Sequence, residues 1–374
     1  TQGVSSAASD VYKRQPLWVA DMDFGTAPFI VDAIRKRCEC EVLGYTGKPD
    51  SYYRAIINWV KQRYDLDVTK EMINFVPGIV PGIGMAMNSF TRPGDKVMIQ
   101  PPVYHPFAWV TTRNERTLVT NPLKWENGMY RMDLDAFREQ VKGCKLFILC
   151  NPHNPGGVVW TEDELRTVAE ICYEEKVLVF SDEIHADLTL PPYKHRPFVT
   201  ISEKAKMNSV TFMSPSKAFN MPGLAASHAI IFNEDLRARF RKFMDAGELD
   251  MGHVFAFLSV EAAYTHGTEW LDQCLAYIQG NIDYVDNFLK THAPRIKAIR
   301  PQASYLVWLD CRELGLNQEA LNDFFADKAH LALNDGAMFG KEGTGYMRLN
   351  VASPRSVIEQ AMKQLAEAYQ AMSF

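Results

Sequence analysis

Val210-Thr211-Phe212-Met213-Ser214-Pro215-Ser216-Lys217-Ala218-Phe219-Asn220 opens as an apolar, strand-like run and delivers two serines and one lysine into a turn. Two other polar clusters follow apolar runs in the same way. Asn151-Pro152-His153-Asn154-Pro155-Gly156-Gly157 comes after Lys145 to Cys150, and Ser181-Asp182-Glu183-Ile184-His185 comes after Val177-Leu178-Val179-Phe180. These runs are continuous rather than alternating, which suits parallel strands covered by helices on both faces. Met72 to Val76, Lys96 to Ile99 and His228 to Phe232 add three more strand signals. Helical stretches over Gly78 to Asn88 and Thr161 to Lys176 lie between them. The second opens with Thr161-x-x-Glu164, a capping box in which each side chain satisfies the other residue's free backbone N–H.

The alternation predicts an α/β fold: a three-layer α/β/α large domain with a mostly parallel sheet, over residues 44–265. After about residue 265 the pattern changes. A long amphipathic stretch, Thr268 to Thr291, precedes strand signals at Tyr305 to Leu309 and Tyr346 to Val351, with helices at Asn317 to Ala329 and Ser356 to Met372. Residues 266–374, completed by 16–43, therefore read as a smaller α+β domain. Thr1 to Gln15 is small, polar and patternless, and is expected to be disordered or not native to the fold.

A chain of 374 residues can bury a large core split between two domains. With 47% hydrophobic residues, 23% charged residues and a net charge of −5, there is no electrostatic reason to expect nucleic acid or a membrane surface as partner. No apolar run approaches the ~20 residues that span a bilayer, and no secretory h-region precedes Pro16. The seven cysteines form no CxxC pair and no zinc-type spacing. They are expected to be reduced and buried, as in a cytoplasmic protein.

In open α/β sheets, ligands sit beyond the carboxyl ends of the strands. Asn154, Asp182 and Lys217 each follow a predicted strand and can converge there. Asparagine, then aspartate, then Ser-x-x-Lys is the order expected of an enzyme that holds pyridoxal 5'-phosphate (PLP) as a lysine Schiff base. Lys217 supplies the amine. Asp182 supplies the carboxylate that keeps the pyridine nitrogen protonated, so that the ring acts as an electron sink. Asn154 and His185 can contact the phenolic oxygen. Taken alone, Asn154 also reads as an Asn-Pro turn former and His185 as a satisfied, partly buried histidine.

Gly78, Ile79 and Val80 open a predicted helix whose free N–H groups and positive end suit a phosphate, and Ser214 and Ser216 can add hydroxyls. The glycines of 78–84 lack GxGxxG spacing and enclose Pro81, so they are not a dinucleotide loop. Tyr104 can stack on the ring and is grouped with Lys217 and Asp182 as catalytic; a core tyrosine is the alternative. Arg348 lies in an apolar strand and needs an anionic partner, either a substrate carboxylate held bidentately or an internal acid. Ser214-x-x-Lys217 also satisfies the Ser-x-x-Lys of serine acyl enzymes, but the accompanying Ser-Asp-Asn and Lys-Thr-Gly strings are absent.

Together these motifs resemble the fold-type-I PLP enzymes, the aspartate aminotransferase superfamily, from about Pro16 onward. Asn151 to Gly157 looks like that family's Asn-Pro-x-Asn-Pro-x-Gly loop, whose second asparagine, here Asn154, contacts the phenolic oxygen. Leu17-Trp18-Val19-Ala20-Asp21-Met22-Asp23-Phe24, Gly44-Tyr45-Thr46-Gly47, Ser181 to Leu188 and Ser216 to Asn220 resemble the MalY/PatB group of cystathionine β-lyase-like C–S lyases. The resemblance implies a homodimer with shared active sites, in which Tyr45 reaches the phosphate of the neighbouring subunit. It places Ala20 and Asn154, with Arg348, at the substrate carboxylate. Two positions depart from the wider superfamily: Ala225 stands where aminotransferases often carry an arginine, eight residues after Lys217, and His185 replaces a tyrosine. Both departures point to β-elimination from cystathionine or a related L-cysteine S-conjugate, giving a thiol, pyruvate and ammonia. An aminotransferase using the same residues is the alternative. Some members of the resembled branch also bind a transcription regulator, and no surface in this sequence marks such a site.

Overall fold

The computed structural model describes residues 14–372. At its centre is a seven-stranded sheet of Ile73–Val76 (β1), Lys96–Ile99 (β2), Thr117–Thr120 (β3), Cys144–Cys150 (β4), Leu178–Asp182 (β5), Ser209–Met213 (β6) and Ser227–Ile230 (β7). Their spatial order is β1-β7-β6-β5-β4-β2-β3. β7 runs antiparallel to both neighbours, and the other pairings are parallel. The expected α/β class and mostly parallel sheet are found. The one reversal falls on the strand signal at His228 to Phe232, because continuous hydrophobicity reports burial on two faces and not direction. Cys150 pairs with Asp182, and Asp182 with Phe212, so β4, β5 and β6 end side by side.

Every residue of β5 and β6 is buried. Phe180 and Phe212 meet edge to face at 5.6 Å; each such side chain contributes about 1.5–3 kcal/mol by leaving water. The helix Ile79–Phe90 lies close against this face because Gly82 has no side chain: a Cβ there would sit 2.9 Å from Val76 Cγ2. That closeness sets the N-terminus of the helix at the strand ends. The helix Glu162–Glu174 starts with the capping box read from the sequence: Thr161 Oγ1 accepts from Glu164 N–H (3.2 Å), and Glu164 Oε2 accepts from Thr161 N–H (3.0 Å).

A second sheet, antiparallel throughout, holds Lys297–Ile299 (β8), Leu306–Asp310 (β9), Asn334–Asp335 (β10) and Tyr346–Asn350 (β11) in the order β8-β9-β11-β10. The segment after Gln15 is tied to this side. Asn350 N–H donates to Leu17 O, and Asp23 N–H to Ala352 O, both at 2.9 Å. The helix Pro28–Cys38 packs on the helix Val254–His266 instead, and Phe29 meets Phe219 and His266 edge-on.

Several elements differ from the sequence reading. The edge strand β3 was not expected, since its exposed threonines break the apolar run. The helix Val254–His266 is buried almost all round, so no polar stripe betrays its period. The stretch Asn317 to Ala329 divides into an α-helix, Gln318–Asp323, and a π turn, Phe324–Lys328. The disorder expected for 1–15 lies outside the described residues except at Arg14 and Gln15. Those two join the fold: Arg14 pairs with Asp327 at 2.6 Å, and Gln15 pairs with Leu331. Five cysteines are buried and free, but Cys38 and Cys40 are exposed where the basic helix Pro28–Cys38 ends. Among the described residues, no helix is long and apolar enough to cross a membrane.

Candidate active site

The ends of β4, β5 and β6 open onto a cavity of about 210 Å³. Ten residues singled out in the sequence line it: Ala20, Gly78, Ile79, Val80, Tyr104, Asn154, Asp182, His185, Ser216 and Lys217. Three of the predicted site residues do not. Ser214 lies behind Ser216, with the two hydroxyl oxygens 2.9 Å apart, and donates to Ala226 O at 2.7 Å. Arg348 reaches the cavity wall through Asn154. Tyr45 stands apart and is 97% exposed; it lines a separate cavity with Lys48, Asp250 and His253.

Lys217 follows β6, and its Nζ donates to the carbonyl of Ala20. The same carbonyl accepts from Tyr305 Oη–H at 3.0 Å. Burial, and then the charge of Arg348, push the lysine down to about 8, against the pull of Asp21 and Asp182. The amine is therefore far easier to neutralise than a surface lysine.

Asp182 ends β5, and its Oδ1 accepts from Ile184 N–H at 3.1 Å. Burial pushes this carboxyl up to about 7, and Ile184 N–H opposes the shift. Among the described residues no cation forms an ion pair with this carboxylate, and the charge of Lys217 offsets only part of the cost of its burial. A protonated ring nitrogen would supply that cation, as the chemistry of PLP requires. His185 is held neutral, pushed down to about 3 by burial and by Lys217 and Arg348, and its buried Nδ1 has no partner. An oxygen on the ring could occupy that nitrogen.

The helix Ile79–Phe90 points its first, unbonded N–H groups at the same cavity, with Gly78 at the cap and Ser216 opposite. This is an anion cradle built from backbone. Ala225 lines the cavity in a left-handed conformation, at φ 48°, and brings no charge. The residues present fit PLP: an amine, a carboxylate, an unpartnered imidazole nitrogen and a phosphate cradle surround one space.

Arg348 on β11 is buried and donates to Asn154 Oδ1 (3.0 Å), Trp18 O (3.1 Å) and Asn334 Oδ1, while Phe339 covers its guanidinium at 4.8 Å. Among the described residues no acid pairs with it, and its Nε has no partner. The internal ion pair weighed as an alternative is thus not formed. Burial pushes the guanidinium down to about 10. A buried cation without an anion invites a ligand carboxylate.

Four contributors were not singled out from the sequence. Asp21 and Tyr305 flank Lys217 and its carbonyl partner. Asn334 holds Arg348, and Cys150 lines the cavity beside Asp182. Asp21 lies inside the quoted stretch Leu17 to Phe24, next to Ala20. The other three carry no motif, and only tertiary structure brings them in.

Comparison with known proteins agrees with this geometry. The chain is 38% identical to cystathionine beta-lyase PatB of Bacillus subtilis over 94% of its own length and 92% of PatB. It is 31% identical to protein MalY of Escherichia coli over 96% of the chain and 92% of MalY. The structure of cystalysin from Treponema denticola, which contains a pyridoxal 5'-phosphate cofactor, matches with a TM-score of 0.95 and 33% identity, covering 100% of this chain and 98% of cystalysin. The family model for aminotransferase class I and II matches residues 17–365. With nearly the whole chain matched, this protein belongs to the aminotransferase class I and II family, and its cofactor is pyridoxal 5'-phosphate.

Proposed function

We propose that the protein is a PLP-dependent C–S β-lyase that acts on cystathionine or a related L-cysteine S-conjugate. The observation that carries an amino-acid substrate is Arg348: a buried cation, joined to Asn154 and without an acid, at the wall of the cavity that holds Lys217. Lyase chemistry is supported by the relatives named cystathionine beta-lyase, by Ala225 in the cavity wall and by His185 beside Asp182.

The residues divide the work as follows. Arg348 takes the α-carboxylate in its fork, with the backbone of Ala20 nearby, and so fixes the direction of the Cα–H bond. Asp182 keeps the ring nitrogen protonated, while Asn154 and His185 hold the phenolic oxygen. Gly78, Ile79, Val80 and Ser216 bind the phosphate, with Ser214 supporting Ser216, and Tyr104 covers the ring. PLP, when bound, supplies the electron sink that makes the Cα proton acidic. Lys217, as a neutral amine, takes that proton. The Cβ–S bond then breaks with its electron pair on sulfur, the thiolate takes up the proton held by Lys217 and leaves as a thiol, and the three-carbon remainder takes up water to give pyruvate and ammonia.

Tyr45 belongs to the same proposal as a residue serving a second copy of the chain, at that copy's phosphate. It stands in a segment without regular structure whose Val42 and Leu43 are 72% and 65% exposed, and apolar side chains so placed call for a partner surface.

The test is a divided assay. Cystathionine alone should yield pyruvate and thiol; an amino acid with a keto-acid acceptor should yield little new amino acid. The reverse result would make the protein an aminotransferase. Lys217→Ala should abolish both pyruvate formation and the bound-cofactor absorbance, and full turnover in that variant would sink the assignment.

A further inference from the structure

Glu183 directly follows Asp182, yet it does not line the cavity. Its Oε1 accepts from Ser181 Oγ–H (2.8 Å) and Phe198 N–H (2.9 Å), and its Oε2 lies 2.7 Å from His195 Nε2. The Glu183 and His195 side chains are 0% and 1% exposed. Glu183 N–H donates to Phe212 O, and its carbonyl accepts from Ala186 N–H, both at 2.9 Å. The turn that carries Asp182 and His185 is therefore tied to β6 by its backbone and to the 195–198 segment by the Glu183 side chain.

The hydrogen bonds also fix the charge of the pair. His195 Nδ1 is buried with no partner. A protonated ring would bury an N–H without an acceptor, whereas a neutral ring that donates from Nε2 leaves only a lone pair unmet. Glu183, with three donors on its two oxygens, is the ionised partner. The pair thus holds one negative charge immediately behind Asp182, and among the described residues no lysine or arginine forms an ion pair with it. The far side of the turn is closed as well. Asp187 accepts from Trp59 Nε1–H at 3.1 Å and from Tyr64 Oη–H, and the Tyr64 ring meets His195 edge-on at 5.6 Å.

We propose that Glu183 is a positioning residue for the cofactor site: held by His195, it fixes the Asp182–His185 turn and supplies a second negative charge that keeps the proton on the ring nitrogen facing Asp182. The proposal rests on the reading of the cavity as the PLP site. Other titratable groups face Asp182 from neighbouring elements: Lys217 after β6, Cys150 at the end of β4, and Tyr104 ahead of the helix Pro106–Arg113. None of these three is a second fixed anion at neutral pH. Burial pushes the thiol of Cys150 well up and raises the phenol of Tyr104, and Lys217 is a cation or a neutral amine. On the other side, His195 faces Glu183, and Tyr64 and Asp187 lie beyond it, against His195.

The test uses protein loaded with PLP carrying ¹⁵N in its ring, whose chemical shift reports the proton on that nitrogen. The shift is followed against pH in the unmodified protein, in Glu183→Gln and in His195→Gln. Glu183→Gln keeps an acceptor for Ser181 and Phe198 but removes the charge. The ring nitrogen should then lose its proton about one pH unit lower, a tenfold change in its proton affinity. His195→Gln still offers a donor to an ionised Glu183 and should titrate like the unmodified protein. A Glu183→Gln curve that superimposes on the unmodified one overturns the proposal, whatever the variant's melting temperature. Should Glu183→Gln not fold, the uncharged Glu183→Met takes its place; an unmoved midpoint overturns the proposal there too. Unmodified protein that binds no labelled cofactor would overturn the reading of the site, and this inference with it.

Discussion

Arg348 donates to the side-chain oxygen of Asn154 across 194 positions of sequence and 3.0 Å of space. The bond joins the turn after β4 of the seven-stranded sheet to β11 of the four-stranded sheet, at the wall of the cavity that holds Lys217. It also settles the orientation of the amide: with Oδ1 committed to Arg348, the N–H₂ of Asn154 is left to donate into the cavity.

Removing this cation should cost binding of the amino acid's carboxylate. Arg348→Ala is expected to lower kcat/KM by about 2–5 kcal/mol, or roughly thirty- to several-thousand-fold, with most of the loss in KM. Arg348→Lys should recover only part of it, since an ammonium cannot form the two-pronged contact. Steady-state kinetics on cystathionine decide the matter, and unchanged KM in both variants would remove Arg348 from the substrate site.

The depressed proton affinity of Lys217 has a kinetic signature. Only the neutral amine attacks the aldehyde of PLP, and this lysine is half neutral near pH 8 rather than 10.5. Below that pH, cofactor incorporation into the apoprotein should speed up about tenfold per pH unit, and it should level off above. Because the Arg348 charge helps push the lysine down, Arg348→Gln should move the midpoint upward. Stopped-flow absorbance at fixed PLP measures both, and a midpoint near 10.5 in the unmodified protein would contradict the prediction.

Tyr45 can be tested by mixing two crippled chains. If it serves the neighbouring subunit, a hybrid of Lys217→Ala and Tyr45→Phe chains contains one site with both native residues and one with neither. Co-refolded mixtures should then exceed the sum of the separate activities, and sedimentation should report a dimer. Strict additivity would place Tyr45 outside any shared site.

Gly82 links packing to the cofactor. Gly82→Ala would set a Cβ 2.9 Å from Val76 Cγ2 and 3.3 Å from Phe212 Cε1. Overpacking costs about 1–3 kcal/mol, and alanine's helix preference returns up to about 1 kcal/mol. The expected result is a Tm lower by a few degrees, together with weaker PLP binding, because the helix must shift and its N-terminus is the proposed phosphate cradle. Equilibrium dialysis of PLP, run beside thermal melts, separates the two effects.

The large sheet was legible because β4, β5 and β6 are buried on both faces, so their sequences are unbroken apolar runs that end in polar turns. The same ends present Asn154, Asp182 and Lys217, and so their convergence on one cavity was legible with them. Burial hides direction, which is why the reversal at β7 did not show. Arg348 could be read because an arginine in an apolar strand is costly without a partner. Tyr305 and Asn334 could not, since a tyrosine at a strand entrance and an asparagine on a two-residue strand are ordinary in any fold. Glu183 was visible in its motif, but its meaning depends on His195, twelve residues away, and on a pairing that local sequence does not encode.

The stretch from Leu17 to Asp23 is held by residues from the far end of the chain. Asn350 grips the carbonyls of Val19 and Asp21 at 2.6 Å each, and Tyr305 grips that of Ala20. Lys217 uses the same Ala20 carbonyl. As the chain emerges from the ribosome, the seven-stranded sheet can assemble and Asn220 can hold Met22, but the carbonyls of Val19, Ala20 and Asp21 still lack Asn350 and Tyr305. The pocket is therefore among the last parts to close, and a nascent chain stalled before Tyr305 would carry a finished sheet and an unfinished enzyme.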